Sequence, residues 1–130
     1  MFRYLAPLVL LAAPVAHLAA QTYTPQEIVA GHAAAYQAKN LNAFLQFYAS
    51  NAEVHLDGMV FRGHAQIRAA YQLNFAPGAP KTQVVERYVD GNTVTDVEQI
   101  IMPDGEVHCC QRATYTVSGN KIVKVVLSTG

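Results

Sequence analysis

Helical spacing of apolar residues dominates the first half of this chain, and strand alternation dominates the second. Thr24-Pro25-Gln26-Glu27 opens the first helix: Thr24 caps it, Pro25 suits the first turn, and Glu27 completes a capping box. Ile28, His32, Ala35, Tyr36 and Lys39 then recur at helical spacing to about Ala38. Asn40 caps a second, short helix whose buried stripe is Leu41, Phe44, Leu45 and Tyr48. A third helix is predicted from about His64 to Asn74, with Ile67, Tyr71 and Phe75 on one side. Pro77, Gly78 and Pro80 end it.

Between helices two and three, Asp57-Gly58 is flanked by alternating residues, a strong hairpin signal. A two-residue turn there pairs Leu56 with Met59, Val54 with Phe61 and Glu53 with Arg62. One face is then apolar, and the other carries an opposite-charge pair. After Pro80 come alternating runs at about 82–90, 93–102 and 106–117, and a last strand at 121–128. They are separated by Asp90-Gly91-Asn92, Pro103-Asp104-Gly105 and Ser118-Gly119-Asn120. Read as a three-residue loop, Ser118-Gly119-Asn120 sets Tyr115, Ala113 and Gln111 opposite Val123, Val125 and Leu127. The expected architecture is α+β: three N-terminal helices packed on one face of a curved antiparallel sheet with an early hairpin.

The first twenty residues read as a segment separate from this fold. They carry one charge, Arg3, ahead of an apolar run broken by Pro7 and Pro14 and ending in Ala19 and Ala20. That is the pattern of a secretory signal peptide, too short and too interrupted for a membrane span. The expected division is a leader over 1–20 and one domain over 21–130, placed outside the cell or in a periplasm, with no stable membrane anchor after cleavage. Of the full 130 residues, 52% are hydrophobic, and basic and acidic side chains balance. Such a chain is too apolar for a disordered segment and too evenly charged for a nucleic-acid binder.

Three stretches give the chain a family likeness. These are Phe47-Tyr48-Ala49-Ser50-Asn51-Ala52-Glu53-Val54, Arg62-Gly63-His64-Ala65-Gln66-Ile67 and Gly119-Asn120-Lys121-Ile122. In that order, within helix-helix-hairpin-helix-meander, the chain resembles the nuclear transport factor 2-like superfamily over about 24–129. That superfamily includes SnoaL-like polyketide cyclases and ketosteroid isomerases. The resemblance implies a cone-shaped α+β barrel, with helices and concave sheet enclosing a small, usually apolar ligand.

Alternation places Val54, Leu56, Met59, Phe61, Thr95, Val97, Gln99, Ile101, Cys109, Gln111, Ala113, Tyr115, Val125 and Leu127 on the inward sheet face. The helices add His32, Tyr36, Tyr71 and Phe75. The polar groups reaching a cone would be His32, Tyr36, Gln99, Gln111, Tyr115 and Cys109. An apolar cavity with a few converging polar groups suits a small molecule, and the same groups also satisfy one another in a filled core. Candidate ligand contacts are thus Tyr36, Leu56, Phe61, Tyr71, Gln99, Cys109, Gln111 and Tyr115.

Likeness to the isomerases sets the base position at Leu56, with Asp57 one residue late. It sets the oxyanion acid near Ala113, and the helix-one tyrosine at His32, with Tyr36 one turn on. His32 and Asp57 are the candidate catalytic residues, His32 because imidazole titrates near neutrality. Asp57 also has a structural role as the first residue of its turn. Three functions stay open: a small-molecule binder, an isomerase or cyclase-like lyase with His32 or Asp57 as base, and a non-catalytic structural dimer.

No cofactor or metal set is apparent, since no spacing brings His55, Asp57, His64 and His108 together. Cys109 and Cys110 are adjacent in a strand, where alternation points them apart and predicts two separate thiols, with an intermolecular bond through Cys110 as the sharper alternative. The outward sheet face, carrying Glu98, Ile100, Met102, His108 and Arg112, is the candidate homodimer surface.

Overall fold

The computed structural model describes residues 21–129, so the leader expected over 1–20 lies outside the described residues. Helix α1 spans Pro25–Gln37, and its capping box is present, with Thr24 accepting from the Glu27 amide and Glu27 from the Thr24 amide. Asn40 caps α2, Leu41–Gln46, through the Ala43 amide. Tyr48 does not extend α2. It opens strand β1, Tyr48–Leu56, and is almost fully buried there. Strand β2, Met59–Arg62, returns through the expected turn, with Asp57 and Gly58 both in the left-handed region (φ 50° and 79°). The register is the expected one, and Glu53 meets Arg62 at 3.2 Å. Helix α3 runs Gly63–Tyr71 and tightens into a 3₁₀ turn over Gln72–Phe75.

Strands β3 (Lys81–Asp90), β4 (Thr93–Ile101), β5 (Val107–Ser118) and β6 (Lys121–Thr129) form the meander. The sheet order is β2-β1-β6-β5-β4-β3, with β1 and β6 parallel. The expected antiparallel sheet is therefore mixed. The expected barrel is open, with β2 and β3 as its edges. The three helices cover its concave face, and one core of Ile28, Val29, Phe44, Leu45, Val54, Ile67, Ile122 and Val125 joins the two layers.

Two registers differ from the sequence reading. At the β5–β6 turn only Gly119 and Asn120 are unpaired, both left-handed (φ 57° and 61°), and a bulge follows between Thr116 and Val117. The shorter turn and the bulge each move the pairing by one. Tyr115 therefore faces Val125 and Ala113 faces Leu127, and the inward set on β5 is preserved because a slip of two keeps side chains on their faces.

On β4 the faces are exchanged. Val94, Asp96, Glu98 and Ile100 point toward the helices, whereas alternation places Thr95, Val97, Gln99 and Ile101 there; of those four only Val97 is buried, on the opposite face. The reason is charge pairing. Arg87 on β3 clamps Asp96 through two bonds, of 2.6 Å and 2.9 Å, and Gln111 on β5 donates to Glu98 at 2.8 Å. Carboxylates with such partners can occupy a core face that unpaired ones would leave.

Cys109 and Cys110 are not separate thiols. They are joined to each other by a disulfide. A bulge at this point pairs Glu98 with Gln111 and Gln99 with Cys109, leaving Cys110 outside the ladder, so strand alternation does not hold the two side chains apart.

Candidate functional site

A cavity of about 290 Å³ lies between the helices and the concave sheet face. Every strand except β2 contributes to its wall: Val54 and Leu56 from β1, Val84 from β3, Ile100 from β4, Tyr115 from β5 and Leu127 from β6. The helices close it with His32 and Tyr36 from α1, Phe44 from α2, and Ala70 and Tyr71 from α3. Phe44 is the hub of the aromatic side, with Tyr71 and Phe75 each 5.0 Å away between ring centroids and His32 at 4.4 Å. Tilted and edge-on arrangements of this kind are the favoured ones for aromatic pairs.

His32 sits at the centre of this cluster because it falls on the buried stripe of α1 with Ile28, Val29 and Ala35. Only 5% of the residue is exposed. Its Nε2 shares a 2.8 Å hydrogen bond with the Tyr48 hydroxyl, while Nδ1 is buried with no partner. Burial without a compensating anion pushes the imidazole down to about 3, so His32 is neutral at physiological pH.

Glu98 is the second polar feature of the cavity, and 7% of it is exposed. Its Oε2 accepts from Gln111, and burial raises the carboxyl above its ordinary value. The neighbouring Asp96 charge adds to that rise, and the Gln111 bond and Arg87 oppose it. Burial also raises the Tyr36, Tyr48, Tyr71 and Tyr115 hydroxyls, each with a further contribution from the Glu98 charge. Four phenols thus feel one carboxylate.

Of the residues singled out from sequence, the cavity brings together His32, Tyr36, Leu56, Tyr71, Gln111 and Tyr115. Phe61 is half-buried and packs against the core without lining the cavity. Gln99 lies on the other face of β4, and Cys109 is exposed at the bulge, so both leave the set. Asp57 is exposed in its Asp-Gly turn and does not reach the cavity. The other candidate ligands are engaged elsewhere: His55 with Glu53 at 2.9 Å, and His64 with the Tyr48 carbonyl at 2.8 Å.

Glu98 is the residue that sequence reasoning missed. Its signal was two carboxylates two positions apart on β4, with one arginine and one glutamine available from the flanking strands.

A family model described as the SnoaL-like domain matches residues 29–125. Among solved structures, a protein provisionally assigned as a polyketide cyclase from Sinorhizobium meliloti superposes with a TM-score of 0.70 at 16% identity, covering 82% of this chain and 100% of its own. One provisionally assigned as a ketosteroid isomerase from Kribbella flavida gives 0.70 at 14%, over 79% and 75%. An NTF2-like protein of unknown function from Cytophaga hutchinsonii gives 0.69 at 15%, over 84% and 92%. At these identities the likeness is one of fold, and that fold is the nuclear transport factor 2-like one. No curated protein matches the chain.

Proposed function

The chain belongs to the SnoaL-like domain family, and on that premise we propose that it binds a small, largely apolar molecule in the cone between helices and sheet. The observation that carries this reading is the cavity itself: about 290 Å³, walled by aliphatic and aromatic side chains, with the unpartnered Nδ1 of His32 buried at its edge. Ligand cavities begin at roughly this size, and their walls have this composition. The volume suits a molecule of one or two rings and is small for a four-ring steroid.

Thermal unfolding against a panel of one- and two-ring aromatic compounds tests the proposal. A binder at about 100 times its Kd adds ~2.7 kcal/mol of stability. Ala70 lines the cavity from a half-exposed helix position, so Ala70→Trp fills the space with little cost to the fold. The expected result is a shift in the wild type that Ala70→Trp abolishes while its circular dichroism stays native. A panel that never moves the melt, or a shift that survives Ala70→Trp, overturns the reading.

Proton transfer on the bound molecule is a second reading. It is favoured by the presence of one carboxyl without an ion-pair partner, Glu98, in the same cavity as a neutral imidazole. Asp57, exposed in its turn, is not placed for that role. Two structural relatives carry provisional cyclase and isomerase names, and both names describe reactions that move protons. If a bound compound is turned over, Glu98→Gln should lower kcat by about 10²–10⁴ while the compound still binds. An unchanged kcat removes Glu98 from the chemistry.

A further inference from the structure

The cavity wall holds one formally charged side chain, Glu98, and neither lysine nor arginine. The nearest arginine is already committed: Arg87 forms both its hydrogen bonds to Asp96, one residue pair further along β4. Among the described residues no cation lies within ion-pair distance of Glu98. Its Oε2 takes a neutral amide donor from Gln111, and its other oxygen has no hydrogen-bond partner among the described residues. A carboxylate this buried is costly to leave without a countercharge, and a protein that filled the space for stability alone would have an apolar residue there.

The same space is walled by the rings of Tyr36, Phe44 and Tyr71, packed against one another through Phe44, and by Tyr115, which packs on His32. Aromatic faces attract organic cations, and the attraction grows when water is excluded. A lone carboxylate inside an aromatic wall is complementary to a molecule with an apolar ring body and a single positive charge. His32, neutral at physiological pH, adds no opposing charge.

We propose that the cavity selects a protonated organic amine, its ring body against the aromatic wall and its ammonium group paired with the Glu98 carboxylate. This inference rests on the ligand-binding reading above and narrows it to one chemical class. Glu98 is then a specificity-determining residue, and Gln111 holds its carboxylate in the orientation that presents the second oxygen to the ligand.

The test uses the full chain at pH 7 and three matched probes, 2-phenylethylammonium, 2-phenylethanol and 3-phenylpropanoate, titrated by calorimetry. The expected result is that the ammonium compound binds at least about tenfold more tightly than the alcohol, with the carboxylate weakest. In Glu98→Gln the gap between ammonium and alcohol should close to within about twofold, with the alcohol retained. Should that variant fail to fold, the wild-type series still decides. Alcohol or carboxylate binding as tightly as the ammonium probe overturns the proposal and leaves the pocket reading standing. A melt moved by neutral aromatics but not by the ammonium probe does the same. If neither the three probes nor the wider aromatic panel binds, both readings fall together.

Discussion

Lowering the pH from 6.5 toward 3 should remove of order 5 kcal/mol of folding free energy through His32 alone. The sign follows from where the proton is taken up. In the unfolded chain His32 titrates at its ordinary value of 6.5, and in the folded protein burial holds it down to about 3. Between those two values the unfolded state carries a proton that the folded state refuses. Its contribution is therefore fully present above 6.5, declines as the pH falls through the window, and is gone below about 3.

The physical cause lies in the packing. The ring is enclosed by Phe44, Tyr48 and Tyr115, and no carboxylate bonds to either nitrogen. A loss of that size is a large share of the 5–15 kcal/mol that holds a domain together. Urea unfolding at pH 7, 6, 5 and 4 measures it. Glu98 and the other titrating groups act in both proteins, so the slope that belongs to His32 is the difference between the wild type and His32→Gln. If the two proteins lose stability in parallel across this range, the buried imidazole is not the acid-sensitive element.

Removing Arg87 should cost more than removing Asp96, although the two are partners in one ion pair. Asp96 has 1% of its side chain exposed, whereas Arg87 keeps 28% of its own in water. Arg87→Met strands a carboxylate in the core, and a stranded buried charge costs about 3–5 kcal/mol. Asp96→Leu strands the arginine, but its guanidinium already reaches solvent and can turn outward. That variant should cost about half as much or less. The double variant, Arg87→Met with Asp96→Leu, replaces a charged pair with an apolar one and should recover most of the loss. Urea denaturation of the four proteins gives the cycle. Equal losses for the two single variants, or a greater one for Asp96→Leu, would show that the asymmetry of burial does not govern the pair.

That ion pair also marks where the sequence could be read and where it could not. Thr24, Glu27 and Asn40 announced their helices because capping is a local matter, settled within four residues. Asp57-Gly58 fixed the first hairpin and its register for the same reason. The face of β4 was a different problem. Its two carboxylates read as solvent-facing, and only partners on two other strands, Arg87 from β3 and Gln111 from β5, make them residents of the interior. Pairing across strands leaves no trace in the period of a single strand. The same limit explains why Gln99 was assigned to the cone in place of Glu98. The cavity's aromatic wall, by contrast, was largely legible, because His32, Tyr36 and Tyr71 sit on helical stripes that periodicity resolves.

The place of β6 has a consequence for how the protein is made. This strand, the last of those described, lies between β1 and β5 and is the sole bridge between the hairpin and the meander. A growing chain can form α1, α2 and the β1–β2 hairpin early, and then β3 to β5, but within the sheet the two halves stay unjoined until residues 121–129 emerge. Until then β1 and β5 present open edges, and the half-built cone exposes its apolar lining. Completion of the sheet thus waits for β6, and the interval before β6 arrives is when the chain is most exposed to aggregation and to the chaperones that prevent it.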